Sequence, residues 1–155
     1  MNHPLLRSTE KAGRASKLRS NGPLLGEPVI VAGYPLSGLL ADGLKITSGE
    51  VSGVSSGSST IQISAPIQPG SSGSPVFDRS GLVIGIAYSQ LDAEKYAEAV
   101  GGVPQNVNFA VSIDEIVRFL GQAGVEPLTV SGTGGHRPED VAAAAQSNTV
   151  QVLCR

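Results

Sequence analysis

Gln68-Pro69-Gly70-Ser71-Ser72-Gly73-Ser74-Pro75-Val76-Phe77-Asp78-Arg79-Ser80-Gly81-Leu82-Val83-Ile84-Gly85-Ile86-Ala87 joins a glycine-serine turn to two short apolar runs. The runs, Pro75 to Phe77 and Leu82 to Ala87, have the length and β-branched content of strands. Between them Asp78-Arg79-Ser80-Gly81 places Asp first and Gly fourth, as a type I turn prefers. A β-hairpin is therefore predicted from Pro75 to Ala87. The turn that leads into it carries a serine pair between two glycines, which suits a sharp bend that exposes a hydroxyl while backbone N–H groups converge on the same space. Such turns are also ordinary connectors between strands, so composition alone does not make this one a site.

Working outward, Glu27 to Pro35 is a β-branched apolar run bracketed by Pro and Gly and reads as a buried strand. Leu44 to Val54 alternates loosely around Ile46, Val51 and Val54, and Thr60 to Ser64 alternates strictly, with a Ser/Gly-dense break between them. These predict a second hairpin with a loose tip. Leu91 to Val100 suggests a short helix, and Val107 to Val111 one more strand. Ser112-Ile113-Asp114-Glu115 is a capping box that opens a helix through Leu120, with Ile113, Ile116, Val117 and Leu120 inward and Gly121 or Gly124 at its end. Residues 126–140 read as a linker, Val141 to Gln146 as a short helix and Thr149 to Leu153 as a short strand.

The chain has 155 residues, 40% of them apolar and 15% charged, which fits one compact domain. Twenty Gly, ten Pro and nineteen Ser against six aromatics favour turns and strands over long helices. A net charge of −2 gives no general affinity for nucleic acid or acidic membranes. No stretch reaches the ~18 apolar residues of a membrane span. Cys154 is the single cysteine, so no internal disulfide framework is expected. Residues 1–22 carry five cations against Glu10 and read as a basic surface arm without a signal-peptide core. No metal-ligand cluster and no cofactor motif is found, and Asp92, Glu94 and Glu98 read as a solvated helical face.

The glycine-serine turn resembles the Gly-Asn-Ser-Gly-Gly-Pro motif of trypsin-like serine proteases, particularly their bacterial Deg-type branch. Gly81 to Ile86 resembles the strand after the nucleophile in that family, and Asn108 to Val111 its closing strand. Gly33-Tyr34-Pro35 and Ile46-Thr47-Ser48-Gly49-Glu50-Val51-Ser52 are similar to a turn and a strand of its second barrel. The resemblance covers about residues 23–120 and implies an all-β fold: a six-stranded antiparallel barrel corresponding to the second half of the double barrel, with a C-terminal helix. The expected organisation is a basic arm at 1–22, which the resemblance would make a remnant of the first barrel, the barrel and helix at 23–124, and a linker with a short helix and strand tail at 125–155.

Carried over by position, the resemblance implies Ser72 as nucleophile and the amides of Gly70 and Ser72 as the oxyanion hole. Ile86, Ala87, Tyr88, Ser89 and Gln90 would flank the substrate pocket. Ser71 stands where the family usually has Asn or Asp, and Ser74 where it has Gly. A serine hydroxyl needs a positioned base, which the family takes from a histidine and an orienting aspartate in the first barrel. The histidines here are His3 and His136, neither in the family's context, and His136 reads as a solvated loop residue. Leu5-Leu6-Arg7 resembles the end of an Asp-Leu-Ala-Leu-Leu segment, which would set Asn2 at the aspartate position.

The implied function is that of a serine endopeptidase homologue acting on polypeptides, inactive as this chain alone because the base and orienting acid are missing. The alternative is a non-catalytic module that binds an extended peptide on the same scaffold. An uncovered inter-barrel face would favour self-association. The compartment stays open, with periplasmic or secreted locations implied if a signal peptide lies upstream.

Overall fold

The computed structural model describes residues 14–35, 43–88, 101, 106–132 and 134–152. The described strands are β1 (Leu18–Arg19), β2 (Pro28–Gly33), β3 (Lys45–Val54), β4 (Thr60–Ile63), β5 (Pro75–Phe77), β6 (Val83–Tyr88), β7 (Asn108–Ser112) and β8 (Thr129–Val130). The described helices are α1 (Ile113–Gln122) and α2 (Pro138–Asn148). Strands β2 to β7 pair in the order β5-β2-β3-β4-β7-β6, and β5 pairs again with β6. All six pairings are antiparallel, so the sheet closes into a barrel without free edges. β1 lies outside this ring, parallel to both β6 and β8.

Two apolar clusters explain why these segments are strands. Val29, Val31, Val51, Ile61, Ile63, Val76, Ile84, Ala87 and Ala110 fill the barrel interior. Leu18, Ile30, Ala32, Phe77, Val83 and Val111 form a second cluster on the outer face, with Ile113 and Ile116 of α1 and Val141 and Ala145 of α2. β2 is buried on both faces, which is why its apolar run is continuous rather than alternating. In β6 the pairing with β5 slips between Val76 and Phe77. Such a bulge inserts one residue and reverses the facing of those that follow. Val83 therefore faces out, Ile84 and Ala87 face in, and Ile86 and Tyr88 face out.

The Ser112 side chain accepts from the Glu115 N–H, as the capping box requires. The far end closes on Gly124 rather than Gly121: Gly124 has φ +72°, its N–H donates to Gly121 O and that of Val125 to Leu120 O. A left-handed glycine at this position satisfies two carbonyls that the helix leaves open.

Three expectations differ from what is observed. Leu18 and Arg19, inside the stretch read as an arm, form β1 and are buried. Thr129–Val130, inside the stretch read as a linker, pairs with β1. Thr149 to Val152 forms no strand, whereas α2 runs longer than its alanine-rich centre suggested. In each case a partner distant in sequence supplied or withheld the hydrogen bonds, which local periodicity does not report. The helix expected at Leu91 to Val100 and the position of Cys154 lie outside the described residues. No described helix is long and apolar enough to cross a membrane.

Candidate functional site

Two tight turns in succession build the loop that carries Ser72. The Ser71 N–H donates to Gln68 O at 2.9 Å, with Pro69 and then Gly70 at the corners, and Gly70 has φ +89°. That is the sequence and sign a type II turn demands. The Ser74 N–H next donates to Ser71 O at 3.0 Å across Ser72 and Gly73, and Gly73 has φ +92°. Ser72 thus occupies the outer corner of the second turn and is exposed, while Ser71 and Ser74 on either side are buried.

The loop is sewn to β6. The Gly73 N–H donates to Ala87 O and the Ala87 N–H to Ser74 O, both at 2.8 Å. With the amides of Ser71, Gly73 and Ser74 held in this way, the Gly70 amide makes no backbone hydrogen bond among the described residues. Neither Ser71 nor Ser74 has a positive φ, so the side chain at position 74 brings no backbone strain. The accommodation comes from β2. A Cβ at Gly33 would run into the Ser74 hydroxyl and stand 3.0 Å from its Cβ. Gly33 is side-chain-free where the strand passes the loop, and the serine hydroxyl occupies the vacated space.

Of the residues expected to flank a substrate pocket, Ile86 and Tyr88 face outward and Ala87 points its methyl into the barrel interior, reaching the loop through its backbone. Ser89 and Gln90 lie outside the described residues. Burial pushes the Tyr88 phenol above its ordinary pKa, opposed by a hydrogen bond with the Thr60 side chain. An apolar groove of about 600 Å³ opens beside the loop, with Gly73, Pro75, Ile86, Phe119 and Val150 among its walls.

His136 is exposed, and its N–H donates to Arg79 O at 2.7 Å. It therefore sits at the turn that follows β5, whereas Ser72 precedes β5. The structure does not bring these two residues together. His3, Asn2 and the Leu5-Leu6-Arg7 segment lie outside the described residues, as do Asp92, Glu94 and Glu98.

Below the β5–β6 turn lies an ion network that the sequence did not announce. Arg19, 5% exposed, donates to both oxygens of Glu27 at 3.0 and 2.7 Å and to Asp78 Oδ2 at 3.1 Å. Asp78 Oδ1 accepts from the N–H groups of Ser80 and Leu82 at 2.7 and 3.0 Å. Asp78 thus closes the predicted turn and ties it to β1. Burial works against the Arg19 charge, but hydrogen bonds and charge from Glu27 and then Asp78 outweigh it and hold the guanidinium above its ordinary pKa. The only local signal for this network was Asp at the first turn position.

The trypsin-like peptidase domain model matches residues 5–86, just over half of the chain. Uncharacterized protein y4bJ of Sinorhizobium fredii is 41% identical over 153 residues, covering 97% of this chain and 24% of that protein. Protease Do-like 2, chloroplastic, of Arabidopsis thaliana is 34% identical over 106 residues, or 63% of this chain and 16% of that one. The chain therefore spans a quarter or less of these curated relatives. In the crystal structure of the serine endoprotease from Yersinia pestis, a match with a TM-score of 0.54 and 20% identity covers 69% of this chain and 34% of that one. Closed barrel, ordered motifs and matched domain agree: this chain belongs to the trypsin-like peptidase domain family, and its barrel has the Deg-type fold.

Proposed function

We propose that this barrel is the nucleophile-bearing part of a serine endopeptidase homologue, with Ser72 as nucleophile and the amides of Gly70 and Ser72 directed at the oxyanion. The observation that carries the reading is the double turn. It holds the amides of Ser71, Gly73 and Ser74 in hydrogen bonds and leaves Ser72 exposed at a corner. In acyl transfer, amides held in advance stabilise charge that develops on the carbonyl oxygen, without reorganising at the moment of reaction. The apolar groove beside the loop favours a polypeptide with an apolar side chain over a small polar substrate. Peptide-bond hydrolysis further requires a base that takes the Ser72 proton and returns it to the leaving amine.

A second reading has its own support. His136 stands at the other end of β5 from Ser72, which favours a peptide-binding module with a protease-like barrel. A fluorophosphonate reagent separates the two. Covalent labelling of the full chain that vanishes in Ser72→Ala supports the endopeptidase reading, and labelling that persists in that variant refutes the nucleophile. Absent labelling, together with peptide binding that survives Ser72→Ala, establishes the binding module.

A further inference from the structure

We propose that a second concavity, at the opposite end of the β5–β6 hairpin from Ser72, binds a phosphate-bearing small molecule. The cavity is about 460 Å³ and lies between Arg14, Ala15 and Lys17, the hairpin turn at Ser80 to Leu82, the residues Val130, Ser131, Gly134 and His136, and α2. Its described walls carry Arg14, Lys17 and His136 and no carboxylate. Several cations elsewhere are neutralised by carboxylates, although exposed Arg79, outside the cavity, also forms no ion pair among the described residues. Arg19 is paired with Glu27 and Asp78, Arg118 with Glu115, and Arg137 with Glu139 and Asp140. Arg14, Lys17 and His136 form no ion pair among the described residues, and all three meet at one concavity in a chain of net charge −2. The two fixed charges, Arg14 and Lys17, border a concave surface that focuses their field on the space between them.

Hydrogen bonds tie two of the cavity walls to the hairpin. The Lys17 carbonyl accepts from the Val83 N–H at 3.0 Å, which fixes the backbone at Lys17 against β6. Ser80 Oγ donates to Gly134 O at 2.9 Å and accepts from the Gly134 N–H at 3.0 Å, pinning the segment before His136 to the hairpin turn. The imidazole folds back over that segment, with Nε2 3.7 Å from where a Cβ on Gly134 would stand. Asn148, also in the wall, has a side-chain oxygen that is buried without a hydrogen-bond partner. That oxygen presents no open surface to the cavity, and Asn148 also borders the apolar groove beside Ser72.

Two permanent cations match a dianion better than a carboxylate, which would leave one of them uncompensated. A guanidinium beside an ammonium is a common phosphate-binding pair. The cavity is within the size range of small-molecule sites and larger than a bare phosphate needs, so the phosphate would be carried on an organic body.

The test is isothermal titration of the full chain with inorganic phosphate and with glycerol 3-phosphate, using acetate at matched ionic strength as the comparison. Saturable binding of either phosphate probe, with acetate at least ~tenfold weaker, is expected. Glycerol 3-phosphate should bind more tightly than inorganic phosphate, and equal affinities would overturn the organic body. The double variant Arg14→Gln/Lys17→Gln changes only exposed side chains and should lose at least ~tenfold in affinity. Ser147→Asp, which adds a negative charge to the exposed wall of α2, should lose as much, while Arg118→Gln should bind as the parent does. No saturable binding, acetate equal to phosphate, or equal losses in Arg118→Gln and the cavity variants would overturn the proposal.

Discussion

Replacing Gly33 by alanine strikes the Ser72 loop from behind. The new methyl would collide with the Ser74 hydroxyl and come to 3.0 Å from Ser74 Cβ. The hydroxyl can rotate, but Cβ is held by the turn at Ser71 and by the Ala87 N–H bond to the Ser74 carbonyl. Forcing one methyl into a packed site costs ~1–3 kcal/mol. A central cost of ~2 kcal/mol lowers Tm by ~4–8 °C at this chain length. Ser74→Gly removes the obstruction and restores the family's residue, at ~0.5–1 kcal/mol for the added freedom of the unfolded chain. The double variant should therefore be more stable than the sum of the two single changes by at least ~1 kcal/mol. Urea unfolding of the four proteins measures this coupling directly. Effects that add within ~0.5 kcal/mol, or a Gly33→Ala chain as stable as the parent, would refute the claim that glycine and serine were fitted to each other.

Arg19→Met should destabilise the chain by ~3–5 kcal/mol, because it leaves the Asp78 carboxylate buried without its cation. A urea midpoint close to that of the parent would show that the network is incidental. The raised Arg19 pKa means that its contribution is fully present below the ordinary arginine value and lost only as pH rises through the higher folded value. The Arg19→Met loss should consequently vary little between about pH 6 and 9 through this group, a range well below that window. Val141, 2% exposed, anchors α2 to the outer cluster. Val141→Ala should cost ~1–2 kcal/mol and raise amide exchange across α2 before it does so in β6. Uniform loss of protection would mean that α2 and the barrel unfold as one unit.

Much of the fold was legible because its signals are local. The two-sided burial of β2 is written in Val29-Ile30-Val31-Ala32, the hairpin in Asp78 and Gly81, and the start of α1 in Ser112 and Glu115. The loop around Ser72 was legible for the same reason: Pro69-Gly70 and Ser72-Gly73 each specify a turn within four residues. Less was legible at β6, where alternation would have put Ile84 and Ile86 on one face. The bulge against β5 divides them between the interior and the outer cluster.

From sequence alone come the six barrel strands, the exposed serine turn and the kinship with trypsin-like peptidases, since periodicity, turn chemistry and ordered motifs depend on neighbours in the chain. The tertiary structure alone decided that Arg19 would be buried against Asp78, that Gly33 would make room for Ser74, and that Arg14, Lys17 and His136 would share one cavity. Each joins residues from separate segments, and burial, charge pairing and close fit arise only once the closed barrel has brought those segments together.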